Sequence, residues 1–579
     1  MSEREAPAAD RRALLKDALR AIEELRRKVD TLERARHEPI AIVGMACRFP
    51  GGADDPESYW RLLRDGVDAI TEVPADRWGT EAYAALDPEA AARMPTQYGG
   101  FLRQIDRFDP HFFGIAPREA LTLDPQHRLV LEVAWEALES AGIAPDRLRG
   151  SATGVFLGIT GTDYASHLKA AGDASCLDVY SATGNTHNAA AGRVSYTLGL
   201  HGPSVALDTA CSSSLTAIHL ACQSLRLGEC DLALAGGVQA LVVPDPFVSF
   251  FKWGMIARDG RCKTFDAAAD GFVRAEGCGL IALRRLSDAL AGGDPILAVI
   301  RGSAVNQDGP SSGLTVPNGP AQEAVIRQAL RAAGVEPREV AYVEAHGTGT
   351  SLGDPIELEA LDAVMGEARG GRPLLVGSVK TNLGHLEAAS GVAGLMKVVL
   401  SLVHEQLPPH LHFQTLSPRI TLRKLPVVVP TALVPWPKGE ARRFAGVSSF
   451  GFSGTNAHVV IEEAPARDDA AATVERPLHL LALSARSESA LRSLAGRWAA
   501  RLAAEPRLSL PDAAFTAHVG RSAFPWRAAT VARSAEEARA ALQAVASGGG
   551  EVARAERGAE RTKVAFLFTG QGSQYAGMG

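Results

Sequence analysis

The chain has 579 residues, 46% of them apolar and 22% charged, with a net charge of −6. That length exceeds one ordinary domain, and the mild charge gives no case for a nucleic-acid or membrane-surface partner. Seven cysteines without metal-type CxxC pairs argue against a disulfide framework, and no apolar run is long enough to span a bilayer.

The N-terminus is charged and has no apolar stretch of the signal-peptide kind. With reduced thiols, the expected setting is the cytoplasm. Residues 1–37 differ from the rest. Leu15, Ala18, Ile22, Leu25, Val29 and Leu32 recur at spacings of three and four, the a/d pattern of a coiled coil. Glu23, Glu24, Arg26, Arg27, Lys28 and Asp30 make the solvated face. A single helix cannot bury such a stripe, so it is expected to pair with a copy of itself or with another chain. The alternative is an amphipathic helix folded back on its own domain.

Glu38-Pro-Ile-Ala-Ile-Val-Gly-Met45 opens the main domain with an apolar strand, set off from the helix by Pro39. From there to about Glu463, strands such as 154–157, 232–234 and 340–343 alternate with helical stretches. That alternation predicts α/β layering. Within it, Val205 to Leu207 reads as a short buried strand after a turn at Pro203. Leu215, Ile218, Cys222 and Leu225 then follow at helical spacing, with Gly228 as the stop. Cys211 therefore sits at a strand-to-helix turn, where free N–H groups favour a thiolate. Most cysteines are structural and buried, and the residues alone leave both readings open.

Three later stretches carry chemistry. In Tyr342-Val-Glu-Ala-His-Gly-Thr-Gly-Thr350 a strand is predicted to end at His346, before a glycine-rich loop. Asp354, Pro355 and Glu357 read as N-cap, first helical residue and capping-box partner, so no chemistry is assigned to either acid. In Gly377-Ser-Val-Lys-Thr-Asn-Leu-Gly-His385 a strand again delivers a histidine, here with Lys380. Val447-Ser-Ser-Phe-Gly-Phe-Ser-Gly-Thr-Asn-Ala-His458 is a small-residue turn between two strands, with its N–H groups free for a ligand and His458 structural. Singly, each histidine is more often a hydrogen-bonded structural residue, and Lys380 could simply neutralise a buried carboxylate. One turn cysteine and two strand-end histidines in one domain point to catalysis.

At these residues the chain resembles the β-ketoacyl synthases of modular type I polyketide synthases. Asp208-Thr-Ala-Cys-Ser-Ser213, Glu344-Ala-His-Gly-Thr-Gly-Thr350, Lys380-Thr-Asn-Leu-Gly-His385 and Gly451-Phe-Ser-Gly-Thr-Asn456 match the family's motifs in order. Gly192-Arg-Val-Ser-Tyr196 and Arg261-Cys-Lys-Thr-Phe-Asp266 also fit, while Ser453 stands where many members have glycine. The resemblance covers residues 38–463 and implies a thiolase-like fold, two similar βαβαβ halves in five layers, and a homodimer. Residues 1–37 are similar to the docking helices that begin some polyketide synthase polypeptides, which implies an upstream polyketide synthase subunit as partner. Residues 464–562 resemble the smaller α/β linker between synthase and acyltransferase. Val564-Ala-Phe-Leu-Phe-Thr-Gly-Gln-Gly-Ser-Gln574, within residues 563–579, looks like the opening strand and loop of an acyltransferase. Before Gly579 no Gly-His-Ser-type nucleophile motif appears, so a fragment of a longer polypeptide is expected.

The resemblance assigns roles. Cys211 accepts an acyl chain from the phosphopantetheine arm of an acyl carrier protein. The N–H groups of Cys211 and Phe452 form an oxyanion hole. His346 and His385 assist decarboxylation of a malonyl-type extender, whose enolate attacks the acyl group. Thr348 and Thr350 bind the pantetheine amides, and Lys380 orders the histidines. No metal and no resident cofactor are expected. Three rivals are weaker. A degradative thiolase needs a second catalytic cysteine where histidine stands, and a cysteine hydrolase leaves Lys380 and His385 unexplained. A non-elongating synthase that only holds or passes the acyl chain is usually marked by loss of His346, which is present.

Overall fold

The computed structural model describes residues 8–78, 97–170, 172, 178–466, 476–554, 565–568, 570–572 and 574–577, with side chains 15–28 and 36 in the first helix. The chain divides into two compact units, Met1–Asp469 and Ala470–Gly579. Helix α1, Ala8–Arg36, contains neither glycine nor proline and is rich in strong helix formers. Leu15, Ile22 and Leu25 are 60%, 47% and 61% exposed, so this single chain leaves the stripe uncovered. Val29 and Leu32, expected in the same stripe, lie outside the described side chains.

Eleven strands form one mixed sheet. In chain order they are β1 Ile40–Arg48, β2 Thr153–Ile159, β3 Ser204–Leu207, β4 Leu232–Gln239, β5 Gly277–Arg285 and β6 Ala298–Gln307. Then come β7 Val340–Glu344, β8 Leu374–Gly377, β9 Val427–Val428, β10 Phe444–Phe450 and β11 Thr455–Glu463. The lateral order is β9-β8-β7-β10-β11-β6-β1-β5-β4-β2-β3. From β3, the first half runs parallel to β2 and on to β4, then antiparallel to β5 and β1. From β8, the second half runs parallel to β7 and on to β10, then antiparallel to β11 and β6. The same pairing pattern thus occurs twice, and three residue pairs between β1 and β6 join the halves.

Layering follows from which strand faces are apolar. β1, β2 and β4 are buried almost throughout, as strands covered on both faces must be. Two helices fill the space between the halves: α2, Ser213–Leu227, and α6, Ser390–Val403. Leu215, Ile218 and Leu225 of α2 join Val392, Met396 and Val399 of α6 in one apolar cluster with both halves. Separate clusters cover the outer faces, through helix 125–140 on one side and helices 319–333 and 353–365 on the other. Helix–sheet–helix–sheet–helix gives the five layers of a thiolase-like α/β fold.

The β3 reading needs correction. Ser204 and Val205 are exposed, and β3 is the edge of the sheet, paired only with β2. A short apolar run does not distinguish a covered strand from an edge awaiting a partner.

The second unit is an antiparallel sheet of β12 His479–Ala485, β13 Trp526–Ala532 and β14 Ala553–Arg554. Helices α7 Glu488–Ala504, α8 Leu510–Val519 and α9 Ala535–Ser547 begin at Ser487, Ser509 and Ser534. Each serine hydroxyl accepts from an N–H of the first turn. Leu481, Leu491, Leu502 and Leu542 close the core. The expected strand after Val564 is not formed at residues 565–568, where Phe566, Leu567 and Phe568 are exposed. Val564 itself lies outside the described residues. A strand requires a partner edge, and the described residues supply none there.

Gly158 of β2 is where the sheet admits the start of α2. A Cβ there would come within 2.6 Å of the Ser213 backbone. Gly158→Ala is expected to cost about 1–3 kcal/mol in thermal unfolding and to slow alkylation of nearby Cys211. An unchanged melting temperature and alkylation rate would refute this packing.

Candidate active site

Cys211 lies in a single 3-10 turn, Ala210–Ser212, directly before α2. Ala210 holds φ at +55°, a left-handed conformation that costs a non-glycine residue energy. Local bonds fix it. The Ala210 N–H donates to Asp208 Oδ1 at 2.8 Å, and Ser213 Oγ donates to the Ala210 carbonyl at 2.6 Å. The Cys211 carbonyl accepts from Ser390 Oγ at 3.1 Å and Ser449 Oγ at 2.7 Å, both from the second half.

The thiol corrects the expectation of a resting thiolate. Enclosure by protein pushes its pKa up to about 12, with the Glu387 carboxylate adding to the shift. Lys380 and two backbone N–H groups, of Phe452 and of Cys211 itself, oppose it. Desolvation outweighs the helix terminus, so Cys211 rests as a thiol. Those two N–H groups also face any charge that forms at this point.

His346 lies two residues beyond the end of β7, and its backbone is held from both sides. Its N–H donates to Glu357 Oε1 at 2.7 Å, and its carbonyl accepts from Lys380 Nζ at 2.6 Å. Its Nδ1 is buried without a partner. His385 takes a proton-bearing neighbour instead: the Glu387 N–H donates to His385 Nδ1 at 3.0 Å. That bond leaves the ring proton on Nε2. Burial, helped by Lys380, holds both imidazoles well below the usual histidine range, so both are neutral. One donor atom each of Cys211, His346 and His385 lie within 4.8 Å of one another. These three side chains are also of metal-ligand type.

Neither Lys380 nor His385 is carried by a strand as expected. β8 ends at Gly377, and Lys380 opens a one-turn helix, α5, Lys380–Leu383. The turn is set by the Val379 N–H on Glu344 Oε1, and Glu344 pairs with buried Lys397 at 2.7 Å. Burial lowers the Lys380 pKa, against Glu344 and Glu357. His458 is structural as expected, its ring on Ser448 Oγ at 2.9 Å inside β11.

The capping reading of Asp354 and Glu357 is overturned. Helix α4, Gly353–Met365, has Leu352 at its N-cap and no side-chain cap. Glu357 accepts from the N–H groups of His346 and Gly347, at 2.7 and 2.8 Å. Asp354 accepts from Gly349 at 3.1 Å and Phe265 at 2.7 Å. Burial pushes Asp354 up to about 7 and raises Glu357 as well. Both shape the loop that carries His346. Sequence reasoning also missed Arg274. Its guanidinium is almost fully buried and pairs with Glu387 at 2.5 Å. Glu387 is the residue whose N–H orients His385.

A cavity of about 570 Å³ opens onto this cluster. Thr348 and Thr350 line it with their hydroxyls 3.1 Å apart, and Phe452 lines it beside Cys211. All seven residues expected at the site therefore border the cavity or, for Lys380, brace a residue that does.

A layered α/β fold with a cysteine and two neutral histidines at one cavity defines a condensing-enzyme class. The chain matches the β-ketoacyl synthase N-terminal domain over residues 37–289, the β-ketoacyl synthase C-terminal domain over 297–414, and the CurL-like PKS C-terminal region over 479–542. It is 50% identical over 553 residues to a phenolphthiocerol/phthiocerol polyketide synthase polypeptide from Mycobacterium tuberculosis, covering 94% of this chain and 30% of that protein. It is 52% identical over 544 residues to erythronolide synthase EryA2 of Saccharopolyspora erythraea, covering 93% of this chain and 15% of that one. The chain thus spans a third or less of these relatives' length. Among solved structures, the ketosynthase from module 6 of the Bacillus subtilis 168 bacillaene synthase superimposes with a TM-score of 0.80 and 39% identity, over 89% of this chain and 87% of that one. An oxazolomycin ketosynthase domain of Streptomyces albus JA3453 gives 0.83 and 39%, over 90% and 91%. The chain belongs to the β-ketoacyl synthase family and carries a ketosynthase of the modular polyketide synthase type.

A resting thiol has a measurable signature. Alkylation of Cys211 by iodoacetamide, followed by peptide mass spectrometry, is expected to rise roughly tenfold per pH unit from about pH 7 to about pH 9. A rate that levels off near neutral pH would show a thiolate at rest instead.

Proposed function

We propose that this chain elongates polyketides by decarboxylative Claisen condensation. The convergence of Cys211, His346 and His385 within 4.8 Å at the foot of the cavity carries the reading. In the first half-reaction, Cys211 sulfur attacks the acyl thioester of a carrier protein. A new sulfur–carbon bond forms, the old one breaks, and the carrier thiol leaves with the proton that Cys211 gave up. The N–H groups of Cys211 and Phe452 receive the charge on the carbonyl oxygen.

In the second, a malonyl-type thioester on a carrier arm enters, with Thr348 and Thr350 meeting the arm's amides. Loss of carbon dioxide leaves an enolate, and its oxygen takes hydrogen bonds from the neutral imidazoles, including His385 Nε2–H. The enolate carbon attacks the acyl group, the bond to Cys211 breaks, and the departing thiolate takes one proton from water. Lys380 acts as a positioning residue through the His346 carbonyl. The chemistry requires no metal, because carbon dioxide loss itself generates the carbanion.

The open edge of β3 favours a homodimer, with a second copy of the strand completing the sheet. The uncovered leucine stripe of α1 suits pairing with its copy and docking to an upstream synthase polypeptide. Residues 38–463 would then be the synthase, 464–562 a linker, and 563–579 the start of an acyltransferase. No helix among the described residues is long and apolar enough to cross a membrane, which accords with a cytoplasmic setting.

Two half-reactions can be separated by mutation. Cys211→Ala and Cys211→Gln are expected to abolish acyl loading and condensation, with decarboxylation preserved or raised in the glutamine variant. His346→Ala and His385→Ala are expected to leave loading measurable, while condensation falls by about two to four orders of magnitude. Intact mass after acyl thioester treatment, paired with carbon dioxide release, reads both. An acylated Cys211→Gln protein, or wild-type condensation by both histidine variants, would overturn the roles. Removing residues 1–37 is expected to leave the dimer and condensation intact but to slow transfer from a carrier on a separate polypeptide, because effective concentration falls. An unchanged transfer rate would sink the docking assignment.

A further inference from the structure

One wall of the cavity is a run of aromatic rings. Phe272 meets Phe250 edge-on, with centroids 5.8 Å apart, and Phe250 stacks on Trp253 at 6.1 Å. Trp253 in turn meets Phe452 edge-on at 6.0 Å. At its inner end the run touches His385, 5.2 Å from Phe272. It therefore extends from a histidine of the site to the residue whose N–H faces the Cys211 sulfur.

Core packing explains neither Phe452 nor Trp253 in this wall. Trp253 follows helix α3, Asp245–Lys252, which is anchored by buried Phe247 and Val248. Gly254, at φ +75°, then turns the chain away. Trp253 and Phe452 are 45% and 46% exposed, and both border the cavity. Two large apolar rings left half open beside a nucleophile offer their faces to whatever occupies the space. About 570 Å³ is the size of an ordinary small-molecule site.

Resting on the acyl-transfer reading above, we propose that Trp253 determines acyl specificity. With Phe250 and Phe452 it selects chains that carry a flat π surface, an aryl ring or a conjugated segment, over saturated chains of the same size. The physical basis is the ring quadrupole, which rewards edge-to-face and offset contacts between aromatic groups beyond simple burial. Burial alone predicts the opposite order, since a saturated ring of equal carbon number has more apolar surface to hide. A preference for the aryl chain therefore reports ring contact and not hydrophobicity.

The test compares 4-phenylbutanoyl and 4-cyclohexylbutanoyl thioesters of N-acetylcysteamine on the full chain. The two place the ring at the same distance from the carbonyl and leave the thioester's own reactivity unchanged. In each case the acyl carbon moves from the small thiol's sulfur to Cys211 sulfur, and the small thiol departs with the proton. Initial rates of adduct formation at Cys211 are read by intact mass. The wild-type chain is expected to load the phenyl compound about threefold faster, the weight of an aromatic contact less the saturated ring's larger burial. Trp253→Leu should bring the ratio within about twofold, while Trp253→Phe, which keeps a ring, should retain a preference. Thermal unfolding of each variant checks that the fold is kept. Equal loading by the wild-type chain overturns the proposal, as does an unchanged preference in Trp253→Leu. Failure of Cys211 to take up either chain would instead bring down the acyl-transfer reading, and this proposal with it.

Discussion

Hydrogen bonds between the two halves of the first unit hold the Cys211 turn in a conformation it would not adopt alone. A left-handed alanine costs on the order of 1–3 kcal/mol when nothing enforces it. Here Ala210 is tied by Asp208 and Ser213 on its own side. The adjoining Cys211 carbonyl is tied by Ser390 and Ser449 on the other. The second pair comes from α6 and β10, elements of the opposite half. The cysteine thus belongs to the first half by sequence and to the second by its restraints. Both histidines also come from the second half, so the site exists only where the two halves meet. The apolar packing of α2 against α6 keeps those serines in reach, which is why small residues crowd this region. Glycines at 158, 237 and 391 lie where any side chain would strike α2 or its neighbours.

Desolvation sets the electrostatic character of the site. It raises the thiol, lowers both imidazoles, and raises Asp354 and Glu357. Each shift pushes a group toward its neutral form. Lys380 is lowered by the same cause, with Glu344 and Glu357 pulling the other way. Its ammonium is spent on a backbone carbonyl, not on a substrate-facing contact. The arrangement separates work between layers. Cys211, His346 and His385 meet the cavity uncharged, while Glu344, Glu357 and Lys380 fix the backbone that carries them.

The motifs made the chemistry readable, and tertiary contacts made its support unreadable. Cys211, His346, His385 and the Phe452 amide stand in short segments whose local pattern predicts a turn or a strand end. Asp354 and Glu357 sit in a pattern that predicts helix capping just as well, and the local signal was sufficient without the true one. Their partners include the N–H groups of Phe265, His346 and Gly347, contacts that only the folded loop creates. Arg274 fails to announce itself for the same reason. It acts on His385 through Glu387, 113 positions away in sequence. The edge position of β3 and the half-open face of Trp253 depend on what is absent beside them, and no periodicity encodes an absence. The repeated strand pattern was legible only through resemblance, because the two halves share topology and not an evident sequence period.

A neutral cysteine and two neutral histidines suit a reaction that moves negative charge instead of storing it. In the proposed condensation, the extender brings a carboxylate into a cavity where ionised groups are poorly solvated. Carbon dioxide leaves uncharged, and the electron pair passes to the thioester oxygen. At that position the donors are the two imidazoles, already held by Glu387 and Glu357. Fixed dipoles of this kind stabilise the developing charge without reorganising at the moment of reaction. A protonated imidazole would hold the carboxylate more tightly than the enolate, and so favour the ground state over the transition state. Burial that keeps His346 and His385 neutral removes that competition. The same burial that denies Cys211 a resting thiolate therefore gives the two histidines the protonation state that the second half-reaction needs.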